Sequence, residues 1–278
     1  MKDLIVHPKG ESENGALVPV SGPVAVDTFG GRIHVEWDAQ AAVTPLGQLP
    51  FFTEYLKVSG LFDPWVEECP LRWTSPNAPK KRDVLGTALL SILSGHRRYA
   101  HISALRGEDI NAKLLGMSKV VSEDSVRGSF AKLDETKGNE WLQRHLHHVY
   151  APLLSVPWIL DADVTIKPLY GHQEGAERGY NPHKPGRPSH TYHTFLIANL
   201  RLVLDVEVQA GNRHASKHSS PGLWALLERL GREHWPEFIR GDKDWGTEGN
   251  MARAEQEGLG YLFKLRLTAR VKKHIERL

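Results

Sequence analysis

The chain has 278 residues, with 35 lysines and arginines against 33 aspartates and glutamates and a single cysteine, Cys69. That length allows two modest domains and a sizeable core, while one cysteine excludes an intramolecular disulfide and a cysteine-based zinc site and fits a reducing cytoplasm. No apolar run approaches the roughly twenty residues that cross a bilayer and the amino terminus lacks a signal-peptide core, so a cytoplasmic protein with no membrane partner is expected.

Net charge does not announce a nucleic-acid binder, but basic residues cluster at 80–82, 97–98, 183–187 and 264–273, and such clusters are the usual electrostatic footprint of one. Taken singly, each is also what a solvated face looks like. Residues 1–45 read as an irregular, loosely attached arm with one hairpin, drawn from the short alternation over 32–37. Residues 46–155 read as a mostly α-helical domain for DNA binding or support. In it Phe51, Phe52, Tyr55, Leu56 and Leu61 follow helical spacing and Gly60 supplies a stop. The next helix carries a stripe of Val84, Leu85, Ala88, Leu89, Ile92 and Leu93 and ends at Gly95. A short helix over 100–105 follows. Ser122 is an N-cap followed by acidic residues in the first turn, with Val126, Phe130 and Leu133 continuing that helix's face. This short helix fits an ordinary bundle or the recognition helix of a helix-turn-helix. A last helix spans 141–154, and its His145, His147 and His148 lack an accompanying carboxylate pattern, which marks them as surface residues.

Residues 156–278 alternate differently. Along 157–166, Asp161, Asp163 and Thr165 share one strand face and Leu160, Ala162, Val164 and Ile166 the other. Residues 167–190 are too rich in glycine and proline for a regular element and form a long loop, the kind that is usually functional or disordered. Residues 192–200 and 202–210 read as an antiparallel pair. Asp205 and Glu207 on the second of them are expected on a solvated face. Ser219 or Ser220 caps a helix with Pro221 in its first turn, Leu223, Trp224, Leu226, Leu227 and Leu230 on its buried face and Gly231 at its end. A short strand over 237–240 then delivers Asp242 at its carboxyl end, where open α/β sheets place their ligands. Asp244 follows as a loop carboxylate, Thr247 caps a helix ending at Gly258, and a strand spans 261–267. Three strands, helix, strand, helix, strand is the order of an α/β fold with a ribonuclease H-like mixed sheet and flanking helices.

Asp163 with Thr165, then Tyr170-Gly171, Gln173-Glu174-Gly175-Ala176, Gly179-Tyr180-Asn181-Pro182 and Arg240-Gly241-Asp242 resemble a DDE transposase of bacterial insertion sequences, group 1, over roughly residues 82–267. The resemblance implies a polynucleotidyl transferase that cleaves and joins DNA strands at element ends. It also implies Mg²⁺ or Mn²⁺ as cofactor, element terminal repeats and target DNA as partners, and a homodimer in the DNA complex. It makes Asp163 and Asp242 the first two metal-binding catalytic carboxylates. Two-metal phosphoryl transfer usually employs three acids. The third is unassigned, because Glu276 lacks the surrounding motif, and Asp161 ranks below Asp163 as an alternative ligand. The chain thus resembles a transposase truncated before its third acid, for which cleavage is expected to be weak or absent. Tyr170, Arg178, Tyr180, Lys184 and Arg187 are candidate DNA contacts, by stacking or by phosphate binding; a scaffold loop is the alternative. A non-catalytic DNA-binding remnant that inhibits the full-length enzyme, and a metal-dependent nuclease of the same fold, are the competing functions.

Overall fold

A computed structural model describes residues 22–36, 47–107, 109–182, 184–213 and 215–277. Residues 1–21 and 37–45 of the arm, and His183 of the basic segment, lie outside the described residues. The chain divides into two compact units, Met1–Trp141 and Leu142–Leu278. Among the described residues no helix is long and apolar enough to cross a membrane.

In the first unit, β1 (Val24–Thr28) and β2 (Gly31–Val35) form an antiparallel hairpin whose turn uses Gly31 at φ +119°, a value that suits a residue without a Cβ. This hairpin is not loosely attached. Val26 is fully buried, and the Phe29 ring lies 5.2 Å from that of Phe62. Helix α1 (Leu49–Val58) is followed by Gly60 at φ +66°. Helix α2 (Phe62–Glu68) has no counterpart in the sequence reading, because seven residues with a proline in the first turn show no usable period.

Helix α3 (Lys81–Leu93) departs from its expected stripe. Ile92 is 69% exposed, while Asp83, Gly86, Thr87, Leu90 and Ser91 join Val84 and Leu85 on the buried side. The reason is that this helix packs through small and polar residues. A Cβ on Gly86 would stand 2.3 Å from the Met117 sulfur, and the Thr87 hydroxyl accepts the Val121 N–H at 3.1 Å. Short helices α4 (Ile102–Leu105) and α5 (Asp109–Leu114) lead to α6 (Glu123–Phe130), where the Ser122 hydroxyl accepts the Ser125 N–H at 3.2 Å as the expected cap. Helix α7 (Glu135–Tyr150) starts six residues ahead of the predicted 141. Its Trp141 donates to the Trp65 carbonyl at 2.9 Å and stacks on that ring at 5.0 Å. His148 is exposed as expected. His145 and His147 are half-buried instead, and burial lowers the pKa of His147.

The second unit is built on β3 (Ile159–Pro168), which pairs antiparallel with β5 (Pro188–Ile197); the two-residue β4 (Glu177–Arg178) and β6 (Leu202–Ala210) pair antiparallel with β5. Helices α8 (Ala215–His218) and α9 (Ser220–Leu230) carry the chain across to β7 (Phe238–Gly241), parallel to β3. Such a parallel return requires a crossover of this kind. Helix α10 (Glu248–Gln256) then leads to β8 (Gly260–Phe263), parallel to β7, and α11 (Ala269–Ile275) follows. The order β6-β5-β3-β7-β8 is the ribonuclease H-like mixed sheet with flanking helices. Leu160, Ala162, Phe195, Ile197 and Ile239 of the sheet meet Leu223, Leu226, Leu227 and Leu230 of α9 and Ala254 of α10. Each fully buried large aliphatic side chain contributes about 1.5–3 kcal/mol.

On β6 the expected polarity is reversed. Leu196 pairs with Val203 but Phe195 with Asp205, so Leu204 is an extra residue. Such a bulge flips the side-chain phase. Asp205 therefore points inward, 7% exposed, and accepts from Arg229 at 2.6 Å, Gln143 at 3.1 Å and the Val206 N–H at 2.8 Å. Val206 and Val208 face solvent. Glu207 is half-buried, and burial raises its pKa. It fits beneath α9 because Gly222 has no side chain; a Cβ there would meet Glu207 Oε1 at 2.2 Å.

Ser219 does not cap α9 with its hydroxyl. That group bonds to Nδ1 of the fully buried His193 at 2.8 Å, whose Nε2 meets the Thr191 hydroxyl at 3.2 Å. Burial lowers the His193 pKa from 6.5 to about 4. The unfolded chain therefore takes up a proton near pH 6.5 that the folded chain refuses until about pH 4, and stability falls as pH drops through that window, by up to about 3 kcal/mol. Glu207, whose pKa is raised, has the opposite sign, its contribution being lost as pH rises. Urea denaturation across this window should show His193→Asn with a flatter pH dependence than the parent chain. Identical slopes would show that the imidazole is not held neutral.

Candidate functional site

The parallel register of β3 and β7 pairs Asp161 with Arg240 and Ala162 with Gly241. The pairing ends there; continued by one step, it would set Asp163 level with Asp242, the first residue past β7. Neighbouring strands lie about 4.8 Å apart and residues level with each other point to the same face. Both aspartates are exposed. Asp163 accepts the N–H of Val164 at 2.8 Å, and its carbonyl accepts the Thr194 hydroxyl at 3.2 Å from β5. Asp242 accepts the Asp244 N–H at 2.9 Å, while its carbonyl accepts the Trp245 N–H at 3.1 Å. An aspartate bonding to its own backbone two residues on is a common way to make a tight turn. Buried Trp245 lies under this turn, edge-on to Phe195 at 6.2 Å.

Asp161 and Asp244, the acids beside the pair, are each matched to an arginine. Arg240 holds both oxygens of Asp161 through Nε and Nη2, and this hydrogen bonding raises the Arg240 pKa. Asp161, the alternative ligand of the sequence reading, is thus already occupied. Arg266 lies 3.4 Å from Asp244, and Arg229 serves Asp205. Among the described residues, Asp163 and Asp242 are left without an ion pair. Glu276 is exposed just beyond α11. Among the described residues no group of three histidine, cysteine or acidic side chains could hold a metal ion. In the sequence Arg240 stands only as part of the Arg240-Gly241-Asp242 motif, and its role as the partner of Asp161 is not legible there. Its partner lies 79 positions away, and only the strand register brings the two together.

The segment joining β3 to β5 is ordered by backbone contacts. Leu169 donates to the Pro188 carbonyl at 2.9 Å, His190 Nε2 meets the Glu174 carbonyl at 2.9 Å, and buried Asn181 accepts the Lys184 N–H at 3.0 Å. Gly179 runs so close to Gly211 that a Cβ would stand 1.9 Å from its carbonyl oxygen. On this frame Arg178 (on β4), Lys184 and Arg187 are exposed, with Tyr170 71% and Tyr180 61% exposed. The Arg187 guanidinium lies 4.4 Å above the Tyr170 ring. Among its described residues, the expected long loop thus contains a two-residue strand and is tied to β5 and to itself by these contacts.

Sheet order and the level carboxylates beside the parallel strands define a ribonuclease H-like domain. Residues 79–278 match the family described as transposase DDE domain group 1, and the chain belongs to that family. No curated protein matches it. Among solved structures it is similar to the piggyBac transposase in a synaptic complex with hairpin DNA, at 16% identity over 83% of this chain and 52% of that one, TM-score 0.36. It is also similar to the Mos1 transposase in a paired-end complex with the left transposon end, at 12% identity over 86% and 81%, TM-score 0.26. A third is a chain of the simian T-cell lymphotropic virus intasome, at 14% identity over 50% and 48%, TM-score 0.24. The chain spans about half the length of the piggyBac and intasome chains.

The turn carrying Asp242 depends on one close approach. A Cβ at Gly241 would lie 2.7 Å from Cβ and Cγ of Trp245. Gly241→Ala should therefore cost about 1–3 kcal/mol, as overpacking against a buried ring does, read as a lower urea midpoint with an unchanged slope. A neutral result would mean that Trp245 shifts freely and does not fix the turn.

Proposed function

We propose that the chain is the core of an insertion-sequence DNA transposase in which Asp163 and Asp242 hold a divalent cation, Mg²⁺ or Mn²⁺. The observation that carries this reading is the pair of exposed carboxylates, one on β3 and one just past the end of β7, left without arginine partners where Asp161 and Asp244 each have one. Adjacent carboxylate oxygens are the hard donors such ions prefer. When bound, the ion supplies charge stabilisation at the attacked phosphodiester.

The chain's own residues do the rest. Asp163 and Asp242 fix the place of the ion, and Arg240 keeps the Asp161 carboxylate out of it. Tyr170 and Tyr180 offer ring faces on which an unpaired base can stack, and Arg178, Lys184 and Arg187 offer phosphate contacts. The partners are element ends and target DNA in the bacterial cytoplasm, with two copies of the chain pairing two ends.

A second reading, a DNA-binding protein that does not cleave, is favoured by the lack of a third acid at the pair among the described residues. Both readings share the metal and DNA sites and differ in turnover. Calorimetric titration with Mn²⁺ should show binding that weakens by more than about tenfold in Asp163→Asn and in Asp242→Asn, since even partners outside the ligand shell cost tenfold or more. Unchanged affinity in either variant would remove that residue from the site. On a supercoiled plasmid carrying element ends, with Asp163→Ala as background, the non-catalytic reading expects cleavage at background level, because misplacing one ion costs orders of magnitude in phosphoryl transfer. Cleavage above background would discard the non-catalytic reading and require a third ligand within these residues.

A further inference from the structure

A polar cleft of about 390 Å³ opens within the first unit, lined by the residues that enter α3, the end of α4 and the segment between α5 and α6. Three cationic side chains from these separate stretches, Lys80, Arg106 and Lys119, line it. All three are exposed, and among the described residues none of them takes part in an ion pair. The carboxylate in the lining is already satisfied. Asp83 is 1% exposed, and its oxygens accept the Ser118 N–H at 2.8 Å and the Ser118 hydroxyl at 2.5 Å. Asp83 thus holds Ser118 in place and forms no ion pair with the three cations, so the lining carries three positive side chains against one carboxylate. Helix α3 begins at this cleft with Lys80 in extended conformation and no side-chain cap, so its first N–H groups add to the positive end of the site.

The neighbours in sequence behave differently, which argues against a generic basic surface. Lys81 donates to the carbonyls of Glu67 and Cys69, and Arg82 binds Asp63 and the Leu115 carbonyl with its guanidinium over the rings of Phe29 and Phe62. Of the basic run 80–82, only Lys80 is left facing the cleft.

We infer that this cleft seats the phosphate backbone of duplex DNA, a contact that rests on the transposase reading and adds to it a docking site remote in sequence from Asp163 and Asp242. Cations that stay solvated around an open polar cleft suit a long polyanion with repeating phosphates. An enclosed pocket with buried donors would suit a small free anion. Contacts of this class position DNA without reading its sequence, and they release counterions, so they are sensitive to salt.

The test is fluorescence anisotropy of a labelled duplex over a salt series, comparing the full chain with the triple variant Lys80→Gln, Arg106→Gln, Lys119→Gln. The triple variant should bind at least about tenfold more weakly at low salt, with its slope of log affinity against log salt shallower by about 1 or more. Circular dichroism and thermal unfolding check the fold. Lys119→Glu alone, an exposed loop position, should show the same direction of change and serves if the triple variant does not fold. Unchanged affinity and slope in the folded variants, with a parent chain that binds, would overturn the cleft assignment and leave the transposase reading standing. A parent chain that fails to bind duplex at low salt would overturn both. In a third arm inorganic phosphate is titrated against the complex. Amide shifts at Ser118, Lys119 and Ser122 without displacement of duplex would mark a free-anion site and overturn the DNA assignment.

Discussion

The second unit depends on the parallel register between β3 and β7. Leu160 is level with Ile239, both fully buried, and this puts Asp161 beside Arg240 and Asp163 beside Asp242 on the opposite face. A slip of one residue would turn Ile239 out and Arg240 into the core, since strand side chains alternate with period two. Magnitudes decide what holds the aspartates side by side. Two unit charges about 5 Å apart repel by about 1 kcal/mol in water-like surroundings and about 3 kcal/mol at an effective dielectric of 20. The apolar side chains sealed between sheet and α9 contribute about 1.5–3 kcal/mol each. The core therefore fixes the carboxylates against their own repulsion, which the proposed cation would relieve.

Arginine pairing then decides which acids remain available. Arg240 bonds Asp161 in two-pronged fashion, a geometry a lysine cannot reproduce because it lacks the planar fork. Exposed pairs of this kind add little to stability, so its effect is on charge distribution. Without Arg240 three carboxylates would crowd one sheet face, and a cation would have no unique place. Asp205 shows the other use of the same chemistry. Its arginine lets a carboxylate sit under a helix at 7% exposure, where an unpaired charge would cost several kcal/mol.

Alternation was enough to place β3 and the face carrying Asp161 and Asp163, and the caps at Ser122 and Thr247 act as their local sequence suggests. What escaped the sequence is what depends on contacts distant along the chain. The bulge at Leu204 reversed the burial of Asp205 and Val206, and no local pattern marks it. Ser219 has the residue type of a cap but gives its hydroxyl to His193, 26 positions away. Helix α3 hides its buried face because Gly86, Thr87 and Asp83 are not apolar, so a periodicity of hydrophobic residues points past them to Ile92. The resemblance implies Asp163 and Asp242 as a pair, and the register brings their strands side by side; the pairing of Asp161 with Arg240 cannot be read without that register.

Net charge is a poor guide in this molecule for a related reason. With 35 basic and 33 acidic residues the whole chain is nearly balanced, but a phosphate senses only charges within about a Debye length, about 8–10 Å at ordinary ionic strength. Within that range the relevant quantity is how many cations are left after internal pairing. Lys81, Arg82, Arg229 and Arg240 are engaged by carbonyls and carboxylates of the chain itself. Lys80, Arg106 and Lys119 are not, and Arg187 is engaged only by a ring whose outer face is open. The same bookkeeping applies to the acids, where Asp163 and Asp242 are the residue after arginine has claimed their neighbours. Folding separates a balanced set of charges into neutralised pairs and unmatched groups, and it is the unmatched groups that give the surface its chemistry.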